Sequence, residues 1–145
     1  MAEQDNIALA EKQVAALNDR NLDLYLSRLD EGYVGYSEMS PGPIQGREGA
    51  RQNMERLFIA FPDLRLEVKK TIASGDTVVV MMGSTGTHTG NFAGISPTKK
   101  SFAMEACNVL EVRNGKVLQG RLYADTLSLF RQLGVISLPQ ATTAG

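Results

Sequence analysis

Phe102–Ala124, FAMEACNVLEVRNGKVLQGRLYA, decides the fold. Asn114-Gly115 at its centre is the strongest hairpin signal in the chain, because a type I′ turn needs positive φ at two consecutive residues and Asn-Gly supplies it at little cost. The pattern predicts a strand over 102–112 and an antiparallel return over 116–124. The same period of two continues upstream. Leu64, Leu66 and Val68 alternate with charged residues, Ser74-Gly75-Asp76 makes a turn, and Thr77–Met82 is rich in β-branched and apolar residues and extends to about His88. Between these strands, Thr89–Lys100 is polar and holds Gly90, Gly94 and Pro97, so it reads as a loop. The result is a meander of four long strands.

Before Pro62 the period is close to four. Ile7, Ala10, Val14 and Leu17 mark an amphipathic helix over about 4–18, which Asn18–Asn21 breaks. Leu22, Tyr25, Leu26 and Leu29 give a second, short helix. Tyr33–Ser37 reads as a strand with Tyr33 and Tyr36 on opposite faces, and Pro41-Gly42-Pro43 as a loop. Met54, Leu57, Phe58 and Phe61 mark a third helix over about 47–61, stopped by Pro62. Past the hairpin, Thr126–Leu133 is a terminal helix closed by Gly134, and 137–145 reads as a loose tail. Helices followed by a run of antiparallel strands predict an α+β fold. The expected shape is a cone-shaped barrel, in which a curved antiparallel sheet and the N-terminal helices enclose an internal pocket. One domain over 1–145, with its core at about 6–135, accounts for the whole pattern.

Composition narrows the function classes. Fifteen Lys and Arg balance sixteen Asp and Glu, for a net charge of −1 over 145 residues. That gives no electrostatic footprint for nucleic acid or an anionic membrane. One Cys and one His make a His/Cys metal site implausible, and Cys107 has no internal disulfide partner. With a polar N-terminus and no long apolar run, the expectation is a cytoplasmic protein with no membrane segment. No glycine-rich phosphate loop is present. The expected partner is a small apolar molecule. The two-sided apolar run Val78–Met82 points to a second copy covering the outer sheet face, as a homodimer or a higher homo-oligomer.

Particular residues add to this. His88–Thr98 (HTGNFAGISPT), Phe102 and Glu105, Asn114–Val117 (NGKV), Tyr123-Ala-Asp125, Leu129–Gly134 (LFRQLG) and Phe61–Leu64 (FPDL) stand in an order that resembles the SnoaL-like polyketide cyclases of the NTF2-like, ketosteroid-isomerase-like superfamily. The resemblance spans about 6–135. It implies a cofactor-independent intramolecular aldol ring closure on a polyketide ester, with no metal. It also implies that Asp125, just after the last strand, is the general acid/base. A histidine that often assists in this family is replaced here by Asn108.

Two readings of Asp125 stand side by side. A carboxylate in an apolar cavity has its charged form disfavoured, which moves its pKa toward the operating pH. Alternatively, Asp125 is the N-cap of the helix that begins at Thr126. Asn108 shares an alternating face with Phe102, Met104, Ala106 and Leu110, where its amide can bind a substrate oxygen or simply be a satisfied core group. Tyr123 and Arg121 share the face of Asp125 and are candidate substrate contacts. Tyr36, Met104, Phe58 and Phe61 are candidate cavity walls, with core packing as the alternative. His88, the only imidazole, is a substrate-binding candidate expected at the rim of the pocket. Beside the enzyme stands a binding protein of the same fold that holds an apolar ligand without chemistry.

Overall fold

The structure, a computed structural model, describes residues 2–137 and 139; the rest of the expected tail lies outside the described residues. The elements run α1 (Ala2–Asn18), α2 (Leu22–Ser27), β1 (Leu29–Ser37), β2 (Ile44–Gln45), α3 (Gly46–Ala60), β3 (Arg65–Ser74), β4 (Thr77–Thr87), β5 (Ser101–Arg113), β6 (Lys116–Ala124) and α4 (Thr126–Gln132). Asn114 and Gly115 both have positive φ, 54° and 74°, as the hairpin requires.

The six strands form one curved sheet in the order β2-β1-β6-β5-β4-β3. β3 to β6 are the expected antiparallel meander. The sheet as a whole is mixed, because β1 lies parallel to β6, with Tyr36 beside Arg121 and Gly35 beside Gly120. It also stays open: β2 and β3 are its two edges, so the cone is an unclosed sheet rather than a barrel.

Period two then sorts every side chain to one of two faces. On the concave face Val78, Val80, Met82, Leu110, Val112 and Val117 pack against Ala10 and Val14 of α1 and Leu26 of α2. At the other end of the same face Phe61, Phe92, Phe102, Leu129 and Leu133 form a second core under α4. The convex face leaves Ile72, Met81 and Tyr123 exposed. No helix among the described residues is long and apolar enough to cross a membrane.

Edge strand β3 is protected in two ways. It carries Arg65, Glu67, Lys69 and Lys70, charges that discourage edge-to-edge pairing. The Asn18 side chain, at the end of α1, also pairs with Leu66 like a strand: its Oδ1 accepts from Leu66 N at 2.9 Å and its Nδ2 donates to Leu66 O at 2.8 Å. This amide fixes the C-terminal end of α1 to the sheet. Asn18→Ala is expected to lower stability by about 1–3 kcal/mol, since it leaves two part-buried backbone groups unpaired. Urea unfolding of the variant beside the wild type measures the loss.

Candidate functional site

Between α1, α2 and the concave face lies a cavity of about 50 Å³. Its walls are apolar except at Gln13, Tyr25, Tyr33 and Asn108, and no charged side chain lines it among the described residues. Gln13 is satisfied, donating to Tyr25 O at 2.9 Å. Asn108 is not: its Oδ1 is buried without a hydrogen-bond partner. A buried, unpaired amide oxygen costs about 1–3 kcal/mol, and here it stands on the wall of a void.

Tyr33 reaches the same place by way of two glycines. Gly35 and Gly120 face each other on β1 and β6. A Cβ on either would meet the Tyr33 hydroxyl, at 2.7 Å from residue 35 and 2.9 Å from residue 120. The Asn108 Oδ1 lies 3.6 Å from that same point above Gly120. Glycine inside a strand sacrifices packing and entropy, and its usual reason is close approach. Here the pair makes room for the phenol over the sheet. Burial pushes the Tyr33 phenol up to about 12. Burial, and then the neighbouring Tyr33, raise Tyr25 well above the usual phenol range. Both stay neutral hydrogen-bonding groups at physiological pH.

The other predicted site residues lie elsewhere. Asn108 is on the concave face with Phe102, Met104, Ala106 and Leu110, as alternation predicts. Arg121 and Tyr123 are on the convex face, opposite Val109 and Cys107 in the β5–β6 ladder. Together with Tyr36, Ser37, Glu38, Ser40 and Pro43 they line an outer groove of about 370 Å³. There the Arg121 guanidinium lies over the Tyr36 ring at 4.2 Å. The sheet separates this group from Asn108, so the two sets cannot hold one ligand within one copy. Asp125 is exposed at the start of α4, where its Oδ1 accepts from Ser128 N at 3.1 Å as an N-cap.

His88 corrects the rim expectation: it is 0 % exposed. The loop after β4 folds back over it, with His88 N donating to Lys100 O at 2.9 Å and Lys99 N to His88 O at 2.8 Å, and Phe61 and Phe92 cover the ring. His88 Nδ1 accepts from Thr98 N at 3.2 Å, which puts the ring proton on Nε2 in the neutral form. Phe61 and Met104 belong to this second core rather than to the cavity. Phe58 is half-buried there, under the Arg20 guanidinium at 4.2 Å. Sequence reasoning did not single out Gln13, Gly35 and Gly120, and it placed Tyr25 and Tyr33 only as a helix residue and a strand residue. The available signal was a glycine at an inward position of each strand.

An open mixed sheet with helices enclosing a neutral, polar-tipped cavity is the arrangement of the NTF2-like, ketosteroid-isomerase-like fold. A structure with that isomerase-like fold from Catenulispora acidiphila superposes with a TM-score of 0.77 at 16% identity, covering 88% of this chain and 93% of that one. The pattern of the SnoaL-like polyketide cyclase family matches residues 7–133, and the chain belongs to that family. Aklanonic acid methyl ester cyclase DnrD of Streptomyces peucetius is 26% identical over 130 residues, 88% of this chain and 90% of that protein. AclR of Streptomyces galilaeus, proposed to be a hydroxylase, has 30% identity and a TM-score of 0.83, covering 97% of this chain and 91% of that one.

The Tyr33 environment gives a pH signature. Its folded pKa lies above the ordinary phenol value of about 10. Its contribution to stability is therefore complete below about pH 10 and is lost as pH rises through about 12. Chemical denaturation across this range is expected to show falling stability, with a shallower fall in Tyr33→Phe.

Proposed function

We propose that the chain closes a ring in a neutral polyketide-type carbonyl compound by acid/base chemistry that needs no cofactor. The observation that carries this reading is the unpaired Asn108 oxygen on the wall of an otherwise apolar, uncharged cavity, in a chain of the polyketide cyclase family. A charged ligand there would be buried without a counter-charge, at a cost of several kcal/mol. A neutral ligand with an apolar body and a few oxygens fits the wall chemistry.

In the proposed reaction a base removes a proton from a carbon between two carbonyl groups. The carbanion attacks a ketone carbon of the same molecule, a carbon–carbon bond forms, and the former ketone oxygen takes up a proton to become a hydroxyl. Product and substrate are isomers. Asp125 is the proposed acid/base, through the carboxylate oxygen that does not cap α4. The Asn108 amide holds a substrate oxygen.

Size adds a requirement. An engineered apolar cavity of about 150 Å³ takes benzene, whereas this one is about 50 Å³. A polyketide-type ligand therefore needs α1 and α2 to move outward from the sheet as it enters.

A second reading is favoured by the exposure of Asp125 and its engagement as a cap: a protein that binds such a ligand without transforming it. One pair of variants separates the two. Asn caps helices as well as Asp does, whereas Ala costs about 1 kcal/mol. On the enzymatic reading, Asp125→Asn keeps the stability of the wild type and loses at least about a hundredfold in turnover of aklanonic acid methyl ester, the substrate in the relatives' name. Chromatography of the isomeric product measures this. Full turnover in Asp125→Asn would reduce Asp125 to a cap, and no turnover by the wild type would favour the binding protein.

We also propose that the convex face is covered by a second copy of the chain. Ile72, Met81 and Tyr123 stand exposed there, with Val79, Cys107 and Val109 between them. Light scattering is expected to give twice the monomer mass, and Met81→Lys to shift it toward the monomer.

A further inference from the structure

The cavity's polar corner presents one acceptor and one donor, both within 4 Å of the same point above Gly120. The acceptor is Asn108 Oδ1, buried and unpaired. The donor is the Tyr33 hydroxyl, which burial keeps protonated to about pH 12. Gly120 brings them together, with the phenol oxygen 2.9 Å and the amide oxygen 3.6 Å from the point its missing Cβ would occupy. Gly35 clears the other side of the phenol, at 2.7 Å from its own missing Cβ.

We propose that Tyr33 and Asn108 select the enol form of a 1,3-dicarbonyl ligand, with Asn108 Oδ1 accepting the enol O–H and the Tyr33 hydroxyl donating to the adjacent carbonyl oxygen. This rests on the reading that the cavity takes a polyketide-type carbonyl compound, and it names the functional group and the tautomer held.

The matching follows from hydrogen-bond inventory. An enolised 1,3-dicarbonyl carries one O–H and one C=O on carbons separated by one carbon, pointing the same way and joined by an internal hydrogen bond that leaves the O–H able to reach a second acceptor and the C=O a second donor. It pairs with one acceptor and one donor, and every group is satisfied. The diketone carries two acceptors and leaves Asn108 Oδ1 unpaired, which is the costly outcome. The enolate is also a pair of acceptors, and it adds a charge to a cavity with no charged wall residue. Enol and diketone are isomers related by moving one proton from carbon to oxygen. The exchange takes place in water before binding, so nothing is oxidised, reduced or released. A ligand held as the enol already has the electron-rich carbon that ring closure needs.

Acetylacetone is the probe, since its keto and enol forms give separate NMR signals; being close to benzene in size, it needs the same outward movement of α1 and α2 as it enters. Saturation transfer from the full-length protein, titrated with acetylacetone, reads the affinity of each form independently. The expected result is a preference for the enol of about tenfold, one good hydrogen bond. That preference is expected to fall close to one in both Tyr33→Phe and Asn108→Leu. Gly120→Ala pushes the phenol aside and is expected to lower it as well. Thermal unfolding identifies any variant that fails to fold, and Tyr33→Phe, which keeps the ring, is the reference case. Equal binding of the two forms, or an enol preference unchanged in both Tyr33→Phe and Asn108→Leu, overturns the inference alone and leaves the cavity reading standing. No binding of either form overturns both.

Discussion

The parallel pairing of β1 with β6 is the contact on which the rest of the molecule depends. The meander β3–β6 joins strands that follow one another in the chain, through two tight turns and the loop 88–100, and would have one bare apolar face. β1 arrives directly from α1 and α2 and docks beside β6, with Leu29 against Val117 at one end and Ser37 against Leu122 at the other. That docking lays the two helices across the concave face. It is a long-range contact with a loop-closure cost to overcome, and the burial of Ala10, Val14, Leu26 and Leu29 against the sheet offsets it. The same pairing sets Gly35 opposite Gly120, so it also creates the space that Tyr33 fills.

Among the described residues, three buried polar side-chain atoms have no partner: Thr71 Oγ1, His88 Nε2 and Asn108 Oδ1. They are not equivalent. His88 Nε2 carries a proton in a pocket of aromatic rings, with the Phe61 centroid at 5.5 Å, and ring faces are weak acceptors for N–H. Its other nitrogen anchors Thr98, so the imidazole holds the loop between β4 and β5 and is accounted for as structure. Thr71 is a small hydroxyl on an edge strand and lines neither the inner cavity nor the outer groove. Of these three, only Asn108 combines an orphaned acceptor with adjacent void, and so this atom, rather than the chain's only histidine, marks the candidate site.

Much of the fold was legible because its signals are local. Asn114-Gly115 specifies its own turn, Pro62 ends α3, and alternation grouped Asn108 with Phe102, Met104, Ala106 and Leu110, and Arg121 with Tyr123; that the two groups face opposite ways is set by the β5–β6 register. The parallel partner of β1 was not legible: an apolar, aromatic strand reads the same beside any neighbour. The two-residue β2 is too short to show a period. His88 was misplaced because its immediate sequence is polar and glycine-containing, while the rings that bury it come from Phe61 and Phe92 in other segments. Tyr33 could be read as an inward aromatic, but its role needs Gly120, which only the β1–β6 register brings to it.

The division of residues between the two faces constrains any chemistry the protein performs. A sheet is one layer thick, and period two admits no compromise: Asn108 and its neighbour Leu122 face the helices, while Arg121 and Tyr123 face away. The cavity walls are therefore neutral, and a proton acceptor strong enough to act on carbon has to come from beyond them. Asp125 is placed differently from the residues before it. The chain leaves β6 at Ala124, and Asp125, at φ −79° and ψ 68°, already turns into α4. Strand alternation no longer dictates its direction; the cap bond to Ser128 does. Catalysis by this carboxylate therefore requires a ligand too large for the present cavity, one that extends along the concave face to the end of β6, where α4 begins. A small molecule confined to the Tyr33–Asn108 corner would be bound and held without being transformed.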